Sequence, residues 1–496
     1  MYIRKPPVGN GLKGYIFVCI ILLLATGGFA FRGYWNITSD VWETAAAIQE
    51  LSIRPWYPNH QMVSYLPGDA SPRFTPYTLL WGLFMRYSGL SLASILLLAA
   101  CVNVTLWVSG LYRLAIRLCP AQPLLPLVVL LSMLFVWGVG YDWTNAYHMY
   151  MFVFTAPYRG TFVFALCLHA LAALAKKTPN IPLYACLSIL GFVCHPVVGT
   201  FAFIGGWGLA WKSFDWKAFS LLQGVPVCAL VIALIWPYFS YTEVFFSGTT
   251  KVWFQSDLYT NLLPALGPIC LVAMPAIRYI YTQKDAFLIG GLSIGVLGYI
   301  IGYVAGIAIG GRYLFWCTFL LHLAFAQWLL SLPKTLPTYS LIQKTIAIVG
   351  LCIIVGGSLY FRGKELRRFL QPNTVQQAYL HTIRNAIAQS IGENAIVLAE
   401  PAHAWALPAL TNCRVLTAIS PSPLRIEEVL QQNEYVVRFL NDDIPMQERI
   451  QYLNTQQVTH IWTKAGERTY LQATCFRRIA VEKIGQDAFF LFEYIP

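Results

Sequence analysis

The sequence predicts a polytopic α-helical membrane protein, with about 11 transmembrane segments, that ends in a soluble α/β domain. Three observations predict it. Hydrophobic residues make up 57% of the 496 and charged residues 11%, with a mean hydropathy of +0.57, whereas an ordinary soluble chain carries about 25% charge. Apolar runs recur from Gly14 to Phe361 with basic residues at their boundaries. From Glu365 the pattern changes to short alternating and amphipathic stretches. A soluble enzyme, a coiled coil, a collagen and a disordered chain are all excluded for most of this length. The net charge of +12 would suit nucleic acid in a soluble protein. Here the basic residues lie between apolar segments, where they orient spans, so no nucleic-acid partner is expected.

Arg4, Lys5 and Lys13 precede the first span, Gly14–Phe31, and put the N-terminus in the cytoplasm. No A-x-A site follows, so this stretch reads as a span and not as a cleaved leader. Residues 32–77 form the first outer loop. Gly82–Leu90, with Arg86 inside it, is too short to cross and reads as an interfacial helix. Further apolar runs are Ser91–Leu111, Pro123–Val139, Phe152–Ala175, Leu183–Cys194, Val197–Trp211, Phe219–Tyr238, Leu262–Ile277, Phe287–Val304, Tyr313–Leu332 and Ile346–Phe361.

Arg113 and Arg117, Lys176 and Lys177, Lys212 and Lys217, Arg278 and Lys284, and Lys334 and Lys344 fall at every second boundary. That is the positive-inside pattern, and it places Gly140–Met151, Phe239–Asn261 and Ala305–Arg312 outside. Leu183–Trp211 has basic residues at both ends and His195-Pro196 at its middle. Proline resists continuation of a helix, so two short helices are expected to meet there at an outward tip. The count leaves the C-terminus outside, although Arg362, Lys364, Arg367 and Arg368 after the last run argue for the other side.

Beyond the spans, Thr374–Ile391 has helical spacing, Ala395–Ala399 and Arg414–Ala418 read as strands, and Arg425–Leu440 as an amphipathic helix. Thr459–Lys464 reads as another strand. Phe476–Ile484 and Ala488–Ile495, separated by Gly485-Gln486-Asp487, read as a closing hairpin. The expected organisation is a transmembrane core over 1–364 and an extracytoplasmic α/β domain over 365–496. Ten of the 12 cysteines lie in apolar runs without C-x-x-C spacing, so a zinc or redox site is not expected. Cys413 and Cys475, in the polar tail, are either a disulfide or two free thiols.

Ionisable residues beside a nearly charge-free membrane core are the functional candidates, and they cluster on the outer side. The first outer loop opens Thr38-Ser39-Asp40-Val41-Trp42-Glu43. This reads either as a helix start, with Asp40 as N-cap and Glu43 at N3, or as a catalytic acid position. The loop ends Ser71-Pro72-Arg73-Phe74-Thr75-Pro76. The layout resembles the GT-C superfamily of polyprenyl-phosphate-sugar-dependent glycosyltransferases: a short cytoplasmic head, one span, a long outer loop opening with an acidic residue, then an interfacial helix. The α/β tail with its HIWTK strand and final FFLFEYI hairpin strand also looks like the domains that follow such cores.

The resemblance implies a GT-C-like core and a catalytic acid at Asp40, which would take the proton from an attacking sugar hydroxyl. It implies an acidic or histidine partner in the second outer loop, where Asp142 and His148 lie. Loss of a lipid phosphate in one displacement would invert the anomeric centre. Arg312, in Gly310-Gly311-Arg312-Tyr313, matches a phosphate-binding arginine, against the alternative of a snorkelling boundary residue. Arg73, Arg159, His195 and Glu43 are further candidates for contact with substrate. No D-x-D occurs, so Asp40 acts alone as base, or Asp40 and Asp142 hold a divalent metal if one is bound; no other cofactor is implied.

The expected partners are therefore a polyprenyl-phosphate sugar donor, a lipid, polysaccharide or protein acceptor, and membrane lipids. The expected location is a bacterial inner membrane, with the active site facing the periplasm. The alternatives are an envelope polysaccharide polymerase or ligase, or a transporter of lipid or solute. A transporter calls for inverted repeats and mid-membrane ionisable groups, whereas the candidate charges here cluster on one face.

Overall fold

Among the described residues, the apolar runs of the sequence lie largely on helix in the computed structural model. It describes residues 9–31, 40–63, 71–137, 147–213, 216–239, 241–242, 259, 262, 266, 269–306, 308–335, 337, 340–370, 374–392, 395–418, 426–441, 443–464 and 468–496. In chain order the helices are α1 (Gly9–Phe31), α2 (Asp40–Ile53), α3 (Pro76–Ser88), α4 (Leu92–Leu118), α5 (Leu125–Val136), α6 (Met149–Phe154) and α7 (Arg159–Leu174). They continue with α8 (Ile181–Cys194), α9 (Pro196–Ser213), α10 (Trp216–Leu234), α11 (Ile269–Gln283), α12 (Ala286–Val304), α13 (Tyr313–Thr335) and α14 (Leu341–Leu370). Among the described residues, Gly11–Ala30, Leu92–Leu118, Ala286–Val304, Gly310–Pro333 and Lys344–Arg367 are long and apolar enough to cross a membrane. Five further apolar helices are shorter, from Leu125–Val136 to Ser220–Leu234.

The chain folds into two compact units. One comprises Met1–Gly28, Leu97–Ile235 and Trp253–Gln371; the other comprises Phe29–Leu96, Trp236–Val252 and Pro372–Pro496. The core of the first is aromatic. Trp107 lies 4.7 Å from Phe152 and 5.5 Å from Tyr147 between ring centroids, and Phe319 meets Phe164 edge-on at 5.4 Å. Such pairs add about 0.5–1.5 kcal/mol each beyond area burial. The break expected at His195-Pro196 is present: His195 ends α8, its N–H donating to Gly191 O at 2.9 Å, and Pro196 opens α9.

The second unit joins the first outer loop to the C-terminal stretch. Its sheet has the order β2-β1-β3-β5-β4, from β1 (Ile396–Ala399), β2 (Arg414–Val415), β3 (His460–Thr463), β4 (Phe476–Ile484) and β5 (Asp487–Tyr494). β1 pairs in parallel with β2 and β3, and β5 runs antiparallel to β3 and β4. The expected hairpin turns at Gly485, whose φ of 66° suits a residue without Cβ. Leu398, Val436, Phe439, Leu453, Ile461 and Phe492 fill the core beneath the sheet. The strand expected over Arg414–Ala418 is only two residues long. Beyond it Leu416 N–H still donates to Val397 O at 3.3 Å, and then side chains take over, Thr417 Oγ1 donating to Ala399 O and Asn433 Nδ2 to Ala418 O. Cys413 and Cys475 are both free thiols.

Residues of the first outer loop extend this sheet. Val63 forms a parallel bridge to Val415, and Val415 N–H donates to Met62 O at 2.8 Å. The interfacial helix expected over Gly82–Leu90 begins earlier, at Pro76. Thr75 and Thr78 form a reciprocal capping box, Pro76 occupies the first turn, and Gly89 in the left-handed region closes the helix. α3 then packs closely on α2. A Cβ on Gly82 would lie 2.8 Å from Leu51 Cβ and 3.1 Å from Ile48 O, so only glycine permits this approach.

Candidate functional site

Asp40 is the first residue of α2, and the helix behind it is buried from Val41 through Ser52 apart from a half-buried Gln49. A helix N-terminus favours negative charge, and that is where the catalytic acid was expected. Glu43, one turn on, is ion-paired through its carboxylate with Arg73 Nε, and both side chains are largely buried. Arg73 is fixed in turn, its N–H donating to Ser71 Oγ at 3.1 Å. The pair therefore ties the two ends of the first outer loop together at the start of α2.

The other end of α2 is held by a second buried pair that the sequence did not single out. Glu50 Oε2 lies 3.0 Å from Arg414 Nη2, at the edge of the sheet, and Glu50 Oε1 accepts from Asn59 N at 2.9 Å. Arg54 stands 3.8 Å from Glu50, and Arg414 Nη1 also donates to His60 O. Burial lowers the Arg414 pKa, and Glu50 opposes that shift. His60 is buried among these cations. Burial first, then the charges of Arg414 and Arg73, push it down to about 3. It is therefore a neutral imidazole at physiological pH, and its Nδ1 accepts from Met62 N at 3.3 Å and Val63 N at 3.2 Å.

In the first unit, Asp142 lies outside the described residues, but the chain on both sides of it is placed. Trp137 O, after α5, accepts from Arg362 Nη2 at 2.9 Å. His148, before α6, is buried with Nδ1 3.1 Å from Glu365 Oε1. Arg362 and Glu365 sit one turn apart on α14 and are ion-paired with each other. One pair on one helix thus holds both flanks of the second outer loop. Arg362, which the sequence counts as a boundary charge, is a buried, paired group. The short spacing of these two residues was readable, but their partners were not: Trp137 lies 225 residues before Arg362, and His148 is comparably far from Glu365.

The candidate cations separate by environment. Arg73 is committed to Glu43, and Arg159 is buried in the first turn of α7. Arg312 is partly exposed at the end of a 3-10 turn, Ala308–Arg312, which leads directly into α13, and it has no acidic partner among the described residues. The turn crosses α12 at a glycine pair, where a Cβ on Gly310 would lie 2.4 Å from Gly302 Cα. Tyr313 hydroxyl and Thr200 Oγ1, 3.3 Å apart, secure the following turn. His195 is buried, with Tyr158 edge-on at 6.3 Å. Among the described residues no group of three His, Cys, Asp or Glu side chains converges as a metal site.

No family model matches this sequence, and no curated protein sequence matches it. Solved structures do. ArnT from Cupriavidus metallidurans bound to undecaprenyl phosphate superposes with a TM-score of 0.57 at 12% identity, over 97% of this chain and 98% of that one. The mycobacterial arabinofuranosyltransferase AftD gives 0.52 at 13% identity, over 97% of this chain and 40% of the longer enzyme. The Archaeoglobus fulgidus oligosaccharyltransferase tethered to an acceptor peptide gives 0.51 at 11% identity, over 90% and 68%. The fold is the GT-C fold that these glycosyltransferases share.

Proposed function

We propose that this protein is a membrane glycosyltransferase that moves a sugar from a polyprenyl-phosphate donor to an acceptor on the extracytoplasmic face of a bacterial inner membrane. The observation that carries this reading is the GT-C fold over nearly the whole chain, with Asp40 opening a buried helix pinned at both ends. Nucleotide sugars are confined to the cytoplasm, so a lipid-linked sugar is the donor chemically available outside. Undecaprenyl phosphate bound to ArnT supports a donor of that class.

In this mechanism Asp40 takes the proton from the acceptor hydroxyl as its oxygen attacks the anomeric carbon. The bond to the lipid phosphate breaks, and the centre inverts. Arg312 holds the departing phosphate through charge-assisted hydrogen bonds. Asp142 orients the acceptor on the second outer loop. Glu43 and Arg73 neutralise each other, so their part is to fix the first turn of α2 and not to touch substrate separately. If a divalent ion binds, Asp40 and Asp142 are its ligands, and it would supply further charge to the phosphate.

The test is transfer from a polyprenyl-phosphate sugar by purified enzyme in nanodiscs, with and without chelator. Asp40→Asn keeps a side chain that suits a helix start and removes only the base. Loss of a general base costs about 100- to 10,000-fold in rate. Near-normal turnover by Asp40→Asn would remove the catalytic assignment.

A further inference from the structure

Within the second unit, α2 ends in a turn, Pro55-Trp56-Tyr57-Pro58, that displays two aromatic rings to the outside. Trp56 is 74% exposed and Tyr57 90%. The turn is held firmly. Tyr238 hydroxyl donates to Pro55 O at 2.5 Å, Asn59 N donates to Glu50 Oε1 at 2.9 Å, and a proline stands on each side of the rings. Exposed aromatic rings add nothing to folding, and a mobile loop would have no need of two anchors.

The place of this turn follows from Arg86. Its Nη1 donates to Ser52 O at 3.2 Å and Ile53 O at 2.9 Å, which fixes the C-terminal end of α2 beside the C-terminal end of α3. Tyr87, the next residue, is 82% exposed, and Leu80 and Phe84 lie on the same exposed stripe of α3. The opposite stripe, with Tyr77 and Trp81, is buried. A helix that is apolar on both faces needs a non-aqueous cover on the second one. The chain leaves α3 through Gly89 and within three residues enters α4, which is apolar and long enough to cross a membrane. The C-terminal end of α3 therefore lies where water meets lipid, the zone that tryptophan and tyrosine favour.

We infer that the Trp56-Tyr57 turn, together with Leu80, Phe84 and Tyr87, is a lipid-docking surface that seats the C-terminal end of α2 in the headgroup–acyl boundary of the bilayer. This inference stands whether or not the protein transfers sugars. The partner is the bilayer itself: the surface continues into the first turn of α4, a helix long and apolar enough to cross a membrane.

The full chain would be placed in nanodiscs of phosphatidylethanolamine and phosphatidylglycerol carrying Tyr57→p-benzoylphenylalanine, Trp56→p-benzoylphenylalanine or, as a comparison, Val481→p-benzoylphenylalanine. Val481 is exposed on charge-rich β4. After illumination, mass spectrometry of the labelled peptides should find phospholipid adducts at 56 or 57 and none at 481. Three results would overturn the inference: no lipid adduct at either aromatic position, equal yields at all three sites, or cross-links from 56 and 57 to protein in place of lipid.

Discussion

Breaking the pair between Glu50 and Arg414 should loosen the C-terminal end of α2 from the sheet edge. The two charged groups are 3.0 Å apart, with side-chain exposures of 5% and 12%. Removing one partner of a buried ion pair costs about 3–5 kcal/mol, because the other charge is left uncompensated. Here Arg54 at 3.8 Å offers Glu50 a fallback, whereas Arg414 has no second acid among the described residues. Glu50→Gln should therefore be the worse single change, near the upper end of that range, and Arg414→Met the milder. The double variant removes both charges and should recover most of the loss.

Cys413 supplies the readout. Its thiol is free and buried, and burial pushes its pKa up to about 12. It precedes Arg414, so alkylation of that residue in the full chain reports opening of β2. Each 1.4 kcal/mol is tenfold, so a loss of 3 kcal/mol should raise opening roughly a hundredfold. Peptide-resolved mass spectrometry separates Cys413 from the other thiols. Additive single effects below about 1 kcal/mol would place the pair among surface salt bridges and refute its bracing role.

Three further outcomes are expected. Arg312→Ala should lose a charge-assisted contact to donor phosphate, about 1.5–3 kcal/mol, read as a rise in donor KM; an unchanged KM would return Arg312 to boundary snorkelling. Glu365→Gln should lower kcat by freeing His148 and stranding Arg362. A paired Arg362→Met, Glu365→Met variant should regain stability but not kcat, and recovery of both would limit the pair to a structural role. His60→Asn should flatten the acid limb of the second unit's stability. With the folded His60 at about 3, the unfolded chain takes up the proton first as pH falls below about 6.5, so stability is full above that value. It drops by about 1.4 kcal/mol per pH unit on the way down. An unchanged limb in Cys413 alkylation across that window would show that His60 does not set it.

The helices were legible because span length and apolar composition are local properties of the chain. The break at His195-Pro196 and the turn at Gly485 were legible for the same reason: each rests on one residue's backbone preference. The start of α3 was in the sequence too, in Thr75-Pro76 and Thr78, but with threonine where a capping box usually carries glutamate. What could not be read is non-local. Glu50 meets Arg414 across 364 residues, and nothing in the composition of either neighbourhood points to the other. The first outer loop seemed to belong with the spans that flank it, but Val63 and Met62 hydrogen-bond to β2 instead.

The buried charges explain which candidates are left for chemistry. A carboxylate and a guanidinium can leave water together only if each satisfies the other, and Glu43 with Arg73, Glu50 with Arg414, and Glu365 with Arg362 do so. These pairs sit at the two ends of α2 and beside the second outer loop, where they fix backbone and offer no spare charge to a ligand. Arg312 differs: partly exposed, at a glycine-lined turn, and without an acid among the described residues. A partly exposed cation keeps its hydration, so it costs little to leave without a fixed acid. By the same reasoning an acid that does chemistry is expected to lack a fixed cation, which turns the test away from the ion-paired Glu43 and Glu50 and toward Asp40 and Asp142, of which Asp142 and the side chain of Asp40 lie outside the described residues.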